Sequence, residues 1–125
     1  MRRLAAALMF AWGTISGHAF AHGEPPRAAH GGLVQEAQEL WLELSVKDRD
    51  VAVYVLDQTG KPVPASDVSG SATVLVGGKS YKVELLAADG NRVEGKLPVP
   101  VGQRLVATVS LMVRGKSASA RFIAQ

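Results

Sequence analysis

The feature that most constrains this chain is a period of two. From Leu40 onward, apolar and polar residues alternate in short runs separated by Gly, Pro, Asn and Asp. That is the pattern of strands with one face in a core and the other toward solvent. Leu40, Leu42, Leu44 and Val46 share one face, while Trp41, Glu43, Ser45 and Lys47 share the other. Val51, Val53 and Val55 follow, then Ala72, Val74 and Val76, then Tyr81, Val83, Leu85 and Ala87. Val93, Leu97, the alternate residues Leu105 to Val113, and Ala118, Ala120 and Phe122 complete the set. Leu33-Val34 can add a short first strand. No stretch after residue 21 carries a helical period.

The turns test this assignment, because a slip of one residue turns a whole apolar face outward. A two-residue Gly77-Gly78 turn sets Val76 opposite Lys79 and Val74 opposite Tyr81. Around Asp48-Arg49, Val46 faces Val51 and Leu44 faces Val53. At Asp89-Gly90 a three-residue loop, Ala88-Asp89-Gly90, is expected to pair Leu85 with Val93 and keep Val93 on the core face. Gly115-Lys116 suits a type II′ turn that pairs Val113 with Ala118. The segment Asp57 to Pro64 (DQTGKPVP) resembles the crossover between sheets in bacterial immunoglobulin-like modules, and its two prolines suit a position outside a central ladder. Seven to eight short strands at this spacing predict an all-β fold, an immunoglobulin-like antiparallel β-sandwich over residues 33–125. One strand breaks the alternation: Ala52, Tyr54 and Leu56 are apolar on the outward side. Either that strand is covered on both faces or it belongs to a contact surface.

The chain opens with an export signal. Met1-Arg2-Arg3 is a short positive region, Leu4 to Trp12 is an apolar run, and Ala19-Phe20-Ala21 supplies the small residues of a cleavage site. The apolar run is too short to span a bilayer, and no later stretch is long and apolar enough. The residues that flank the arginine pair of a twin-arginine signal are missing, and there is no Cys for a lipid anchor. Residues 1–21 are therefore expected to be a cleaved signal peptide. The mature protein is placed in the periplasm, with no membrane span.

Export changes the charge balance. The chain carries 14 basic and 11 acidic residues, but Arg2 and Arg3 leave with the signal, so 12 face 11 in the remainder. No Lys/Arg cluster interleaves with aromatics, which argues against nucleic acid as a partner. The absence of Cys removes disulfides and thiolate metal sites, blue copper included. Only Met112 remains beyond the signal, which excludes a methionine-rich Cu(I) site.

Catalytic signatures are lacking. His22 and His30 both precede the predicted sandwich, so no histidine on the scaffold can serve a Ser-His-Asp triad. No nucleophile elbow, P-loop or zincin motif occurs, and the glycine pairs read as turns. The chain is expected not to be an enzyme. The chemistry that remains lies in the lead, residues 22–32: His22-Gly23-Glu24-Pro25-Pro26-Arg27-Ala28-Ala29-His30-Gly31-Gly32. Cleavage after Ala21 makes His22 the new terminus, whose α-amine and imidazole chelate a metal together. His30 adds a second imidazole, and Glu24 or a carboxylate on the sandwich can complete a site for Cu(II), with Zn(II) or Ni(II) also suited. The plain alternative is a flexible, solvated tail, which the Pro and Gly content favours.

Two resemblances bear on these residues. The start His30-Gly31-Gly32, the ELWLEL strand, VAVYVLDQTGKPV and the terminal SASARFIAQ resemble a group of small periplasmic proteins associated with heavy-metal efflux systems. That likeness covers nearly the whole mature chain. It implies an accessory role in metal handling, efflux components as partners, and His30 as the position carried over. A looser likeness is to periplasmic copper carriers of the copper-resistance type, small immunoglobulin-like sandwiches whose mature chain begins with His. Only His22 and the fold class match, and the further histidine that those carriers place on the sandwich is missing here.

Two functions are therefore expected to compete. One is a non-enzymatic periplasmic accessory in heavy-metal handling, with His22, His30 and Glu24 as ligands. The other is a metal-free adaptor that contacts a partner through the strand face around Tyr54 and Leu56 or through a sheet edge.

Overall fold

The structure, a computed structural model, describes residues 24–124. The expected signal peptide with its cleavage site, and His22, lie outside the described residues. Alternation produces eight strands: β1 (Leu33–Ala37), β2 (Leu40–Lys47), β3 (Asp50–Asp57), β4 (Val68–Val76), β5 (Lys79–Ala87), β6 (Arg92–Lys96), β7 (Leu105–Val113) and β8 (Lys116–Ala124). A single 3-10 turn, Ala65–Asp67, precedes β4. The fold is all-β and antiparallel, as expected. The strands run in the order β1-β2-β3-β6-β5-β4-β7-β8. They form one sheet bent into two layers, and β1 comes to lie beside β8, so the sheet nearly closes as a barrel.

β5 makes the bend. Its first part, Lys79 to Leu85, pairs with β4, whereas Leu86 and Ala87 pair with β6. Gly95 of β6 lies so close to β5 that a Cβ there would collide with the Val83 side chain and the Glu84 carbonyl. The inward residues of both layers meet in one core that includes Leu42, Leu44, Val53, Val93, Val109 and Phe122. Full burial of a Val, Leu or Phe side chain contributes about 1.5–3 kcal/mol each, and this shared core holds a chain without disulfides. Val63 and Ala65 join it from the crossover, which lacks any period to mark them, and Val68 joins from the start of β4. The Asp57 carboxylate caps that crossover, accepting from Thr59 N–H, Thr59 Oγ1 and Lys61 N–H.

Two of the four tested turns form as expected. Val46 faces Val51 and Leu44 faces Val53; Val76 faces Lys79 and Val74 faces Tyr81. The other two are displaced. Val93 faces Ala87, not Leu85. Its hairpin is longer than three residues and is closed by Arg92 N–H donating to the Asp89 carbonyl and Ala88 N–H donating to the Arg92 carbonyl. At the β7–β8 hairpin, Val113 faces Lys116 and Leu111 faces Ala118. The turn residues are Arg114 and Gly115, both at positive φ (51° and 82°), as a type I′ turn requires. Arginine tolerates that backbone because Asp67 holds it twice. Arg114 N–H donates to the Asp67 carbonyl at 3.0 Å and Nε donates to Oδ2 at 2.9 Å. Both errors shift a partner by two residues, which preserves the face, so Val93 and Ala118 are still buried.

Candidate functional site

The outward side of β2 and β3 is the exception to the alternation. Glu43, Tyr54 and Arg92 stand in one row across β2, β3 and β6. Trp41 and Glu43 point away from the core, yet they are only 8% and 7% exposed. The lead covers them. It was expected to be flexible, but residues 29–32 are fastened to the sheet, and the fastening is Glu43.

The Glu43 carboxylate accepts four hydrogen bonds. Oε1 takes Ala29 N–H at 3.2 Å and His30 Nδ1 at 3.0 Å. Oε2 takes His30 N–H at 2.8 Å and Gly32 N–H at 2.9 Å. An ionised carboxylate has about four acceptor positions, and all are used. The three backbone donors form a concave anion-binding nest of the kind that stabilises buried charge. Burial pushes the Glu43 carboxyl up. The bonds from the His30 ring and from Gly32 and His30 N–H, with the charge of His30, outweigh burial and leave it below its ordinary value.

The His-Gly-Gly sequence has a local reason at each position. Gly31 takes a left-handed φ of 72°, which turns the strap so that the amides on either side face one carboxylate. Gly32 passes so close to β2 that a Cβ would strike the Leu44 carbonyl. His30 lays its ring on Tyr54, with centroids 3.5 Å apart and planes 2° from parallel. Beyond it, the neighbouring Tyr54 side chain and then the Glu94 charge raise the Arg92 guanidinium pKa. Arg92 Nε lies 3.3 Å from Glu94 Oε1 but is out of line for a hydrogen bond, so that buried nitrogen has no partner.

Next to this row the outer face opens into a cleft of about 810 Å³. Ser45 and Ala52 line it, with His30, Tyr54 and Arg92 on one side and Lys47, Asp50 and Lys96 on another. Lys96 pairs with Asp50 at 2.9 Å, which neutralises much of that wall.

The predicted ligands are only partly assembled. His30 is in place, its side chain 42% exposed. Glu24 is exposed in the strap, and His22 lies outside the described residues. Among the described residues, no three His, Asp or Glu side chains converge on a point that could hold a metal ion. The strand face around Tyr54 and Leu56, expected as an adaptor surface, is half-buried under the strap. Glu43 was missed as the residue that organises the site. Its signal was a lone carboxylate on the outward side of β2, beside a strand whose outward residues 52, 54 and 56 are apolar. Comparison with known protein families, curated proteins and solved structures finds no match.

Proposed function

We propose that this protein is a non-enzymatic, exported accessory in the handling or efflux of heavy metals, copper or another divalent cation, with His30 as its anchoring ligand. The observation that carries this reading is the state of the His30 ring. Nδ1 is engaged by a buried carboxylate, while Nε2 makes no hydrogen bond among the described residues. A carboxylate behind an imidazole is the arrangement that orients histidine ligands and makes them more basic. Neutral imidazole suits Cu(II), Zn(II) and Ni(II). The remaining donors come from the end of the strap: the His22 imidazole and, after cleavage behind Ala21, its amine, with Glu24 as the carboxylate. Components of a periplasmic efflux system are the partners this role implies.

The test is isothermal titration of the mature chain with Cu(II) and Zn(II), after mass spectrometry establishes its terminus. A one-to-one site lost in His22→Ala and in His30→Ala is the expected result. Binding no tighter than that of a scrambled lead peptide overturns the reading.

One observation favours a metal-free adaptor instead. Leu75, Val106 and Ile123 align across β4, β7 and β8 on the outer face, and Leu75 and Ile123 are 39% and 53% exposed. If titration shows no metal, this row becomes the surface to test, by Leu75→Ser and Ile123→Ser against a cross-link that the wild type makes to an exported protein.

A further inference from the structure

We infer that the cleft beside the Glu43, Tyr54 and Arg92 row is a binding site for a small organic monoanion, a carboxylate on a compact apolar body, with Arg92 as its anchor. The site is independent of the metal-handling function proposed above.

The sheet itself shapes the cleft. Three rows of outward residues cross β2, β3 and β6: Glu43, Tyr54 and Arg92; Ser45, Ala52 and Glu94; Lys47, Asp50 and Lys96. Leu86 of β5 extends the middle row. Successive rows on one face are about 7 Å apart, and the small Ser45 and Ala52 keep the middle row low between two rows of long side chains. The result is a trench of about 810 Å³, within the range of about 300–1,000 Å³ usual for small-ligand sites.

Charge selects the ligand. Lys47, Arg92 and Lys96 line the trench against Asp50 and Glu94, which leaves one positive charge over, His30 aside. Lys96 is paired with Asp50, while Lys47 has no partner among the described residues. Arg92 is poorly matched: Glu94 Oε1 lies 3.3 Å from its buried Nε without forming a hydrogen bond. A buried donor that lacks an acceptor is uncommon in a folded protein and needs a cause. The guanidinium fork fits a planar carboxylate in two parallel bonds. A phosphate monoester fits the same fork, but its two charges would leave the trench net negative. The Glu94 side chain is 52% exposed, so it yields Arg92 to an entering carboxylate by turning out to solvent. The apolar body has a surface of its own. Leu86, 63% exposed, is the most exposed large apolar side chain among the described residues, and it shares the trench with Ala52, Ala87 and Tyr54. One exposed leucine is ordinary; an apolar wall beside a charged anchor in a concave site is how small ligands are held.

Benzoate is the probe, added to the metal-free mature chain while proton–nitrogen NMR spectra are followed, with acetate, benzamide and phenyl phosphate as comparisons. The expected result is a saturable set of shifts centred on Ser45, Ala52, Leu86 and Arg92, with benzoate bound more tightly than the other three. Arg92→Gln is expected to weaken benzoate about 10–100-fold, because it removes hydrogen bonds to a charged group. Glu94→Gln is expected to tighten it, since the competing carboxylate is gone. Leu86→Ser, at an exposed position, should erase the advantage of benzoate over acetate. No saturable shift, or shifts scattered over the surface, overturns the site. Benzamide bound as tightly as benzoate overturns the role of charge, and phenyl phosphate bound more tightly overturns the monoanion. Should Arg92→Gln fail to fold, Glu94→Gln and Leu86→Ser still decide, and unchanged affinity in both overturns the inference.

Discussion

The two outer faces of this sheet are built on one alternation and end in opposite states. On β4, β7 and β8 the outward residues are mainly hydroxyls and charges, with Ser71, Ser110 and Ser119 in one row and Thr73, Thr108 and Arg121 in the next. That face is left to solvent. On β2 and β3 the outward residues include Trp41, Glu43, Tyr54 and Leu56, and the lead reaches over them at Pro26, Arg27, Ala29 and His30. A strand with an apolar outer face needs a cover, and a carboxylate under that cover needs donors. The strap meets both needs, since Pro26 and Ala29 border the gap over Trp41 and Leu56 while the Ala29, His30 and Gly32 amides meet Glu43. The comparison teaches that a charge on the outward side of a strand marks a docking point when the outward residues of the strand beside it are apolar.

The comparison breaks most visibly at Trp41. Trp41→Ala removes the largest side chain under the strap and is expected to destabilise the protein by about 3–5 kcal/mol, measured by urea unfolding. If the loss is no greater than for an exposed residue, the strap does not bury Trp41 in solution, and the two faces are alike. Glu43→Gln ranks next. It keeps the shape but removes the charge, and hydrogen bonds to a charged group are worth about 1.5–3 kcal/mol. A loss of about that size, with faster exchange at the Ala29, His30 and Gly32 amides, is expected. Gly32→Ala acts on the same contact from the strap side. Its new methyl meets the Leu44 carbonyl, and forced overpacking costs about 1–3 kcal/mol. No loss would mean that the strap does not run where the Glu43 bonds place it.

These contrasts also separate what was legible in the sequence from what was not. Faces were legible because a period of two is local; Leu42, Val53, Val83, Val109 and Phe122 all point inward as the alternation requires. Hairpin partners were legible where a tight two-residue turn set them, at Asp48-Arg49 and Gly77-Gly78. They were not where a distant residue decided, as Asp67 does for Arg114. His30 was legible as a chemical residue, but its setting was not. The lead has the composition of a tail, and its order comes from one glutamate 13 residues further on. Contacts between a segment without periodicity and a sheet leave no pattern in either partner alone.

Acid should weaken the covered face selectively. Glu43 sits below its ordinary value in the folded protein, so its contribution to stability is complete above the unfolded value, about 4.3. It is lost as the pH falls through the lower folded value, because protonation then costs less in the unfolded chain. The stability gap between wild type and Glu43→Gln is therefore expected to be full at neutral pH and to shrink below the unfolded value. Asp57 is also lowered, by its bonds from Thr59 and Lys61, so the wild type keeps some acid sensitivity in either case. Parallel pH profiles for the two proteins would place the acid response in the crossover turn and not under the strap.

The smallest effect is expected on the bare face. Ile123 is 53% exposed on β8, opposite the half-buried Val106 of β7, and nothing lies over it among the described residues. Its replacement by Ser removes little buried area, and surface changes of this kind stay within about 0.5 kcal/mol. The isolated chain should therefore unfold at the same urea concentration with either residue. A larger loss would show that this face, like the other, carries a cover in solution. The row Leu75, Val106 and Ile123 would then be an occupied contact, and the asymmetry between the two faces would become a difference between a cover supplied by the chain itself and one supplied by another molecule.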